Sequence, residues 1–132
     1  MVIDTSAVVA ILLDEPEKDA FSDLLSSEVP LAISAVTFHE ASIVMAAKKR
    51  QTSAARLVDE LVRDLAIEVC AVAGTDAMTA RDAYFKYGRN YHRAGLNFGD
   101  CFAYALAKSR NEPLLFKGDD FSKTDVTAAW HR

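Results

Sequence analysis

Short, largely apolar runs recur along the chain between longer segments whose apolar residues have helical spacing. Runs without polar alternation are typical of strands buried on both faces of a parallel sheet. Four of them are predicted strands: Val2–Ile3, Leu31–Ile33, Ile67–Cys70 and Leu114–Phe116. Because strands separated by helices form parallel βαβ units, the pattern predicts a three-layer α/β/α fold. Its central, mainly parallel sheet has about four to five strands, depending on whether the C-terminal tail adds a short one.

Helices are predicted on both sides of these strands. The first follows Thr5 and Ser6, which are good helix N-caps, and the second has Pro16 in its first turn. The predicted ranges are about Ala7–Leu13, Pro16–Ser26, Ser34–Arg50, Thr52–Leu65, Gly74–Tyr87 and Gly99–Ser109. No repeat, low-complexity segment or linker interrupts the pattern, so we expect a single domain over residues 1–132.

The first predicted strand ends at a carboxylate, Asp4. In open α/β sheets, ligands bind in the crevice beyond the carboxyl ends of the strands. Asp4 therefore lies where a ligand would bind, although the same residue could simply cap the first helix. Which interpretation holds depends on whether other carboxylates occupy similar places.

Further carboxylates do occupy such places. Glu40 lies on an apolar stripe within a predicted helix, where a lone carboxylate is costly unless a salt bridge compensates it. Asp100 opens another helix, although acidic residues are common there because of the helix dipole. Asp119 and Asp120 follow the last predicted strand in a Gly-Asp-Asp segment that is also typical of a turn.

Together, these acids suggest a metal site. Two carboxylates about 4 Å apart repel by roughly 4 kcal/mol at an effective dielectric constant of about 20, so a fold that gathers four of them needs compensation. Mg²⁺ and Mn²⁺ take oxygen ligands and leave positions open for water and phosphate oxygens. Since such ions promote in-line displacement at phosphorus, the pattern predicts phosphodiester hydrolysis.

Four segments resemble, in order and spacing, the acidic motifs of PIN-domain ribonucleases, most closely those of VapC-type toxins of bacterial toxin–antitoxin modules. They are Met1–Ala7, Ser34–Glu40, Leu96–Cys101 and Leu114–Phe121. The resemblance covers essentially the whole chain and implies a PIN-like fold and an endoribonuclease that depends on one or two Mg²⁺ or Mn²⁺ ions. It also implies Asp4 and Asp100 as the principal metal ligands, with Glu40 and Asp120 completing the acidic pocket.

The last of these motifs departs from the family pattern. Asp119 stands where asparagine is common, so either Asp119 or Asp120 could be the inward-facing acid, and we expect Asp120. The resemblance further implies a homodimer and a small VapB-like antitoxin whose C-terminal segment occupies the active-site groove. By family analogy, the RNA products carry 5′-phosphate and 3′-hydroxyl ends, and transfer, ribosomal and messenger RNA fit equally well as targets.

Other polar residues are candidates for contacts with RNA. The segment Lys86–Arg93 combines cations with aromatic side chains, as single-stranded RNA sites do, although an ordinary solvated loop can have the same composition. The candidate substrate-binding residues are Thr5, Ser6, Asn97, Arg89 and Arg93. For the two hydroxyl residues among them, helix capping is the competing role.

The composition is that of a globular domain, with 51% hydrophobic and 26% charged residues. No apolar run approaches the ~20 residues of a membrane span, and no secretory signal is present, so we expect a cytoplasmic protein without a membrane contact. Cys70 and Cys101 are expected to be reduced, packed thiols. The net charge of -4 does not exclude an RNA partner, because acidic and basic residues balance outside the four candidate site acids.

Three other classes of protein fit part of the pattern. A haloacid-dehalogenase-type phosphatase needs a second aspartate two residues after Asp4, where this chain has Ser6. A receiver-like domain needs a phosphoacceptor aspartate after a central strand, and none follows Ile33 or Cys70. A PIN-like module that binds RNA or protein without turnover is compatible with the sequence, and metal-dependent cleavage would distinguish it from a nuclease.

Overall fold

A four-stranded parallel sheet forms the centre of the computed structural model, which describes residues 1–132. The strands are β1 (Val2–Ile3), β2 (Ala32–Ser34), β3 (Glu68–Cys70) and β4 (Leu114–Leu115), in the order β3-β2-β1-β4. Every pairing is parallel, and Val2 is the partner of both Ala32 and Leu114. This sheet confirms the predicted α/β class and places the carboxyl ends of all four strands at one edge.

Six α-helices surround the sheet. They are α1 (Thr5–Leu12), α2 (Lys18–Leu25), α3 (Ala35–Lys49), α4 (Arg56–Asp64), α5 (Gly74–Tyr87) and α6 (Phe98–Arg110). Pro16 was predicted to lie in the first turn of α2, but it lies in the turn before this helix. The Lys18 N–H donates to the Glu15 carbonyl at 2.9 Å, and the first helical hydrogen bond runs from the Phe21 N–H to the Glu17 carbonyl. Similarly, Thr52–Ala55 forms a 3₁₀ turn that precedes α4.

The C-terminal tail does not add a full fifth strand. Ala128 pairs with Leu114 in an isolated parallel bridge, flanked by hydrogen bonds from the Leu114 N–H to the Thr127 carbonyl (2.8 Å) and from the Ala129 N–H to the Leu114 carbonyl (2.9 Å). A 3₁₀ turn at Phe121–Lys123 lies between β4 and this bridge. The tail therefore covers the open edge of β4 over a single residue, which limits edge pairing with other chains.

Alternate strand residues face two separate apolar cores. Val2 and Leu114 pack with side chains of α5 and α6, whereas Ile3 and Leu115 pack with side chains of α1, α2, α3 and α4. This period of two is the alternation expected of strands that are covered on both faces. It produces the three predicted layers and leaves the carboxyl edge of the sheet free to form a site.

Both cysteines are free thiols, as predicted. Cys101, a residue of α6, is buried in the core next to α5, and Cys70 is a partly buried residue of β3. None of the helices is long and apolar enough to cross a membrane.

Candidate active site

The predicted acids lie beyond the carboxyl edge of the sheet. Asp4 directly follows β1, Asp119 and Asp120 lie in the loop after β4, and Glu40 lies in the second turn of α3, which begins where β2 ends. Asp100 lies in the first turn of α6. The charges of Asp4, Glu40 and Asp120 all raise the pKa of Asp100, which indicates that these four carboxylates lie near the same part of this edge.

Asp4 is the most buried of these acids, with 3% of its surface exposed. Its Oδ2 accepts hydrogen bonds from the Ser6 N–H (2.9 Å) and the Ser6 hydroxyl (2.6 Å). Asp4 is therefore the N-cap of α1, which confirms the alternative interpretation of this residue, whereas the prediction that Thr5 and Ser6 cap the helix is wrong. The reason is that Asp4 still has extended dihedral angles (φ -89°, ψ 159°), whereas Thr5 is already helical.

The other oxygen of Asp4, Oδ1, is buried and accepts no hydrogen bond. Burial is the largest cause that raises the pKa of this carboxyl, and the two hydrogen bonds from Ser6 act in the opposite direction. A buried, unpartnered carboxylate oxygen is costly, so its retention points to a ligand or cation that engages it.

Two other elements hold Glu40. The Thr5 hydroxyl donates a hydrogen bond to Glu40 Oε1 at 2.5 Å. On the other side of this carboxylate lies Gly99 of α6, where an added Cβ would be 2.0 Å from Glu40 Oε2. Only glycine, which lacks a Cβ, permits this close approach of α6 to the Glu40 side chain. The sequence analysis did not identify this constraint, because it depends on how α3 and α6 pack.

A reciprocal cap fixes Asp100 at the start of α6. The Asp100 carboxylate accepts from the Asn97 N–H, and the Asp100 N–H donates to the Asn97 side-chain oxygen, both at 2.9 Å. Burial, the largest cause, and the charges of the nearby carboxylates together raise the pKa of Asp100 to about 7, against the lowering effect of the hydrogen bond from Asn97. Asp100 is thus poised to lose its proton when a cation binds beside it.

The two acids after β4 differ in what they approach. The charge of Asp120 acts on Asp100, whereas Asp119 lines a separate groove on the side of the C-terminal tail. The Asp119 carbonyl also accepts from the Ser122 hydroxyl at 2.6 Å. Both carboxylates are exposed, and this arrangement favours Asp120 as the fourth acid of the site.

The carboxylates do not form a ready-made metal site. No three of the His, Cys, Asp or Glu side chains are close enough together to hold a metal ion. Since like charges repel by kilocalories per mole at short range, acids without a cation are expected to stay apart. The set of metal ligands therefore stays a prediction.

The candidate substrate-binding residues fall in three places. Thr5 and Ser6 lie among the acids and hydrogen-bond to them. Asn97 and Arg89 both line a groove between α5 and α6, next to the start of α6. Arg93 is exposed in the loop before α6, outside that groove.

The groove between α5 and α6 is apolar and has a volume of about 490 Å³. Its aromatic residues are Tyr84, Phe85, Phe98 and Phe102. Phe98 is 74% exposed and Phe85 is 57% exposed, so the groove presents aromatic side chains to solvent. This groove was not predicted from the sequence, although the position of Phe98 in a helix-capping segment could have indicated an exposed aromatic side chain.

Comparison with known proteins identifies the family. Residues 1–126 match the PIN domain family, and the chain belongs to that family. Ribonuclease VapC30 from Mycobacterium tuberculosis is 43% identical over 126 residues, which cover 96% of this chain and 95% of that protein. Ribonuclease VapC from Mycolicibacterium smegmatis is 43% identical over 128 residues, 97% of this chain and 98% of that protein. Within the PIN-domain family, the chain therefore groups with the VapC ribonucleases.

A solved structure of related shape supports the fold. Mycobacterium tuberculosis VapC20, described as a toxin that cleaves the sarcin–ricin loop, superposes with a TM-score of 0.77 at 15% identity, covering 96% of this chain and 95% of that one. A toxin–antitoxin complex from Klebsiella pneumoniae gives a TM-score of 0.66 at 18% identity, with 94% and 92% covered. At these identities, the likeness confirms the PIN-like fold alone.

Proposed function

We propose that this chain is a metal-dependent endoribonuclease that hydrolyses RNA phosphodiester bonds as the toxin of a type II, VapBC-like toxin–antitoxin pair. The observation that carries the proposal is the buried, unpartnered Oδ1 of Asp4 beside three further carboxylates. A module that only bound RNA would gain nothing from gathering uncompensated acids where phosphate must approach. The similarity to VapC ribonucleases supports RNA as the substrate.

The donor set fits Mg²⁺ or Mn²⁺, because both ions prefer oxygen ligands. Asp4 and Asp100 would hold one or two such ions, with support from Glu40 and Asp120 and with Asp119 at the margin. The cation would activate water and neutralise the charge that develops on phosphorus.

The chain itself orients these acids through hydrogen bonds from Ser6, Thr5 and Asn97. Groups of this kind, which bond to metal ligands without touching the metal, fix ligand orientation and typically change metal affinity 10- to 100-fold. Arg89 and Arg93, which carry positive charge close to the start of α6, would attract the RNA backbone. This arrangement combines an acidic centre with a basic rim.

The proposal is tested by incubating purified protein, freed of any antitoxin, with a mixed RNA pool in Mg²⁺, in Mn²⁺ and in EDTA. We expect cleavage in metal and none in EDTA, with 5′-phosphate and 3′-hydroxyl ends on the fragments. The Asp100→Asn variant, purified identically, controls for contaminating nucleases.

Two results would contradict this expectation. Cleavage that persists in EDTA, or equally in Asp100→Asn, would assign the activity to a contaminant. Folded, metal-supplied protein that leaves transfer, ribosomal and messenger RNA intact would favour the PIN-like binding module without turnover.

The identity of the fourth acid can be tested with a matched pair of variants. We expect Asp120→Asn to lower the cleavage rate about 10- to 100-fold and Asp119→Asn to change it by less than about twofold. The reason is that, of these two acids, only Asp120 affects the pKa of Asp100. Initial rates of RNA cleavage in saturating Mn²⁺ measure the effects of both substitutions. The reverse order would make Asp119 the inward-facing acid.

We also propose a small VapB-like antitoxin whose C-terminal segment blocks the acidic groove, and a homodimer. The apolar groove between α5 and α6 is a surface that a second copy of the chain would cover, since large exposed apolar patches are rare on isolated monomers. Its position beside Asn97 would bring two acidic sites close to one dimer interface. Because the proposed substrate is RNA, we also propose a cytoplasmic location.

A further inference from the structure

Lys117, which follows β4, forms an ionic contact that is separate from the acidic site. Its Nζ lies 2.7 Å from Glu15 Oε2 and 3.0 Å from Glu17 Oε2, both in the turn between α1 and α2. Glu17 is only 5% exposed, and its other oxygen lies 2.9 Å from Arg132 Nη2. The contact thus joins the segment after β4 to a turn far away in sequence.

The main chain of the same residue reaches the acidic site. The Lys117 N–H donates to the Ser6 hydroxyl oxygen at 2.9 Å, and that hydroxyl donates to Asp4 Oδ2 at 2.6 Å. Lys117 therefore contacts the α1–α2 turn through its ammonium group. Through its backbone N–H it contacts the Ser6 hydroxyl, which hydrogen-bonds to Asp4.

We propose that Lys117 is a positioning residue that, by anchoring its ammonium on Glu15 and Glu17, holds its own N–H on Ser6 and keeps Asp4 Oδ1 aimed at the cation site. This inference rests on the proposed metal-dependent function. The anchor acts through Ser6, so Lys117 touches neither the substrate nor the metal.

The burial of Glu17 separates this contact from an ordinary surface ion pair. Exposed ion pairs contribute little to stability and hold little in place. Here the contact with Lys117, 3.0 Å from Glu17 Oε2, is the largest cause that lowers the pKa of Glu17, which favours the charged form of this carboxylate. Without the ammonium group, Glu17 would keep only the contact of its other oxygen with the exposed Arg132 side chain, and Oε2 would be buried without a cation, which is costly.

The test measures Mn²⁺ affinity by titration calorimetry on metal-free protein, which reports on the site without RNA cleavage. We expect Lys117→Met to bind Mn²⁺ about 10- to 100-fold more weakly, and Lys117→Arg, which keeps the cation, to bind as the wild type does. The amide hydrogen at position 117 should also exchange faster with solvent in Lys117→Met. Lys18→Met is the matched control, because it removes a lysine that pairs with Asp14 in the same turn.

A further variant keeps the test decisive if Lys117→Met folds poorly. Lys117→Met combined with Glu17→Gln removes the uncompensated buried charge together with the anchor, and it should still bind Mn²⁺ weakly. Wild-type affinity in this double variant, or an equal loss in Lys18→Met, would overturn the inference and leave the proposed function standing. Failure of the wild type to bind Mn²⁺ at all would overturn both.

Discussion

Asp4→Asn is expected to lower the rate of RNA cleavage by about a thousandfold or more while the protein stays folded. Asparagine keeps an oxygen that can accept the hydrogen bonds from Ser6, so α1 retains its cap. The variant loses the charged Oδ1 of Asp4, which is the one buried carboxylate oxygen of the site without a hydrogen-bond partner. An amide NH₂ group at that position would repel a cation instead of binding it.

The measurement compares single-turnover cleavage of one RNA substrate by the wild type and the variant in saturating Mn²⁺. Asp23→Asn is the matched control, because it makes the same substitution at an exposed position of α2, away from the site. Circular dichroism melts of both variants check the fold. Purified Asp4→Asn protein that cleaves at the wild-type rate would remove Asp4 from the mechanism.

The fold followed from the sequence because its local signals agree. Short apolar runs predicted all four strands, and the range Gly74–Tyr87 predicted for α5 is the observed one. The errors in the predicted helices lie where the local backbone conformation determines the residue at which a helix begins. The turn closed by the hydrogen bond from the Lys18 N–H to the Glu15 carbonyl places Pro16 before α2, and the extended conformation of Asp4 makes it the helix cap in place of Thr5. The resemblance to VapC-type PIN domains is confirmed by the family match.

The acids were predictable because a parallel sheet brings the carboxyl ends of its strands to one edge. The supports of those acids were not, because each joins residues that are distant in sequence. The Gly99 contact with Glu40 requires the observed packing of α6 on α3, and the anchor of Lys117 on Glu17 requires the α1–α2 turn to lie beside β4. No periodicity or composition carries this information.

Asp100→Asn is expected to raise the melting temperature of the metal-free protein at pH 8 by about 5 °C or more. The pKa of Asp100 is raised from 3.8 to about 7 in the folded protein, chiefly by burial. Between these two values the folded state holds a proton that the unfolded state has lost, so this group's contribution to stability falls as pH rises through about 4 to 7. Above pH 7 the wild type carries the buried charge in full, and the amide variant does not.

The gain should therefore shrink towards pH 4, where the folded carboxyl is protonated and, like the amide, carries no buried charge. Asp76→Asn is the matched control, because Asp76 occupies the same third position of α5 and accepts the Ala73 N–H at 2.7 Å, as Asp100 does from Asn97. Because Asp76 lies away from the acids of the site, Asp76→Asn removes only a favourable charge at a helix N-terminus, worth about 0.3–1 kcal/mol. This control should therefore lower the melting temperature slightly. Differential scanning calorimetry in EDTA from pH 4 to 8 measures all three proteins. If Asp100→Asn loses stability at pH 8 as Asp76→Asn does, then burial and the neighbouring acids do not disfavour the charged form of Asp100, and the main physical argument for a cation at this site fails.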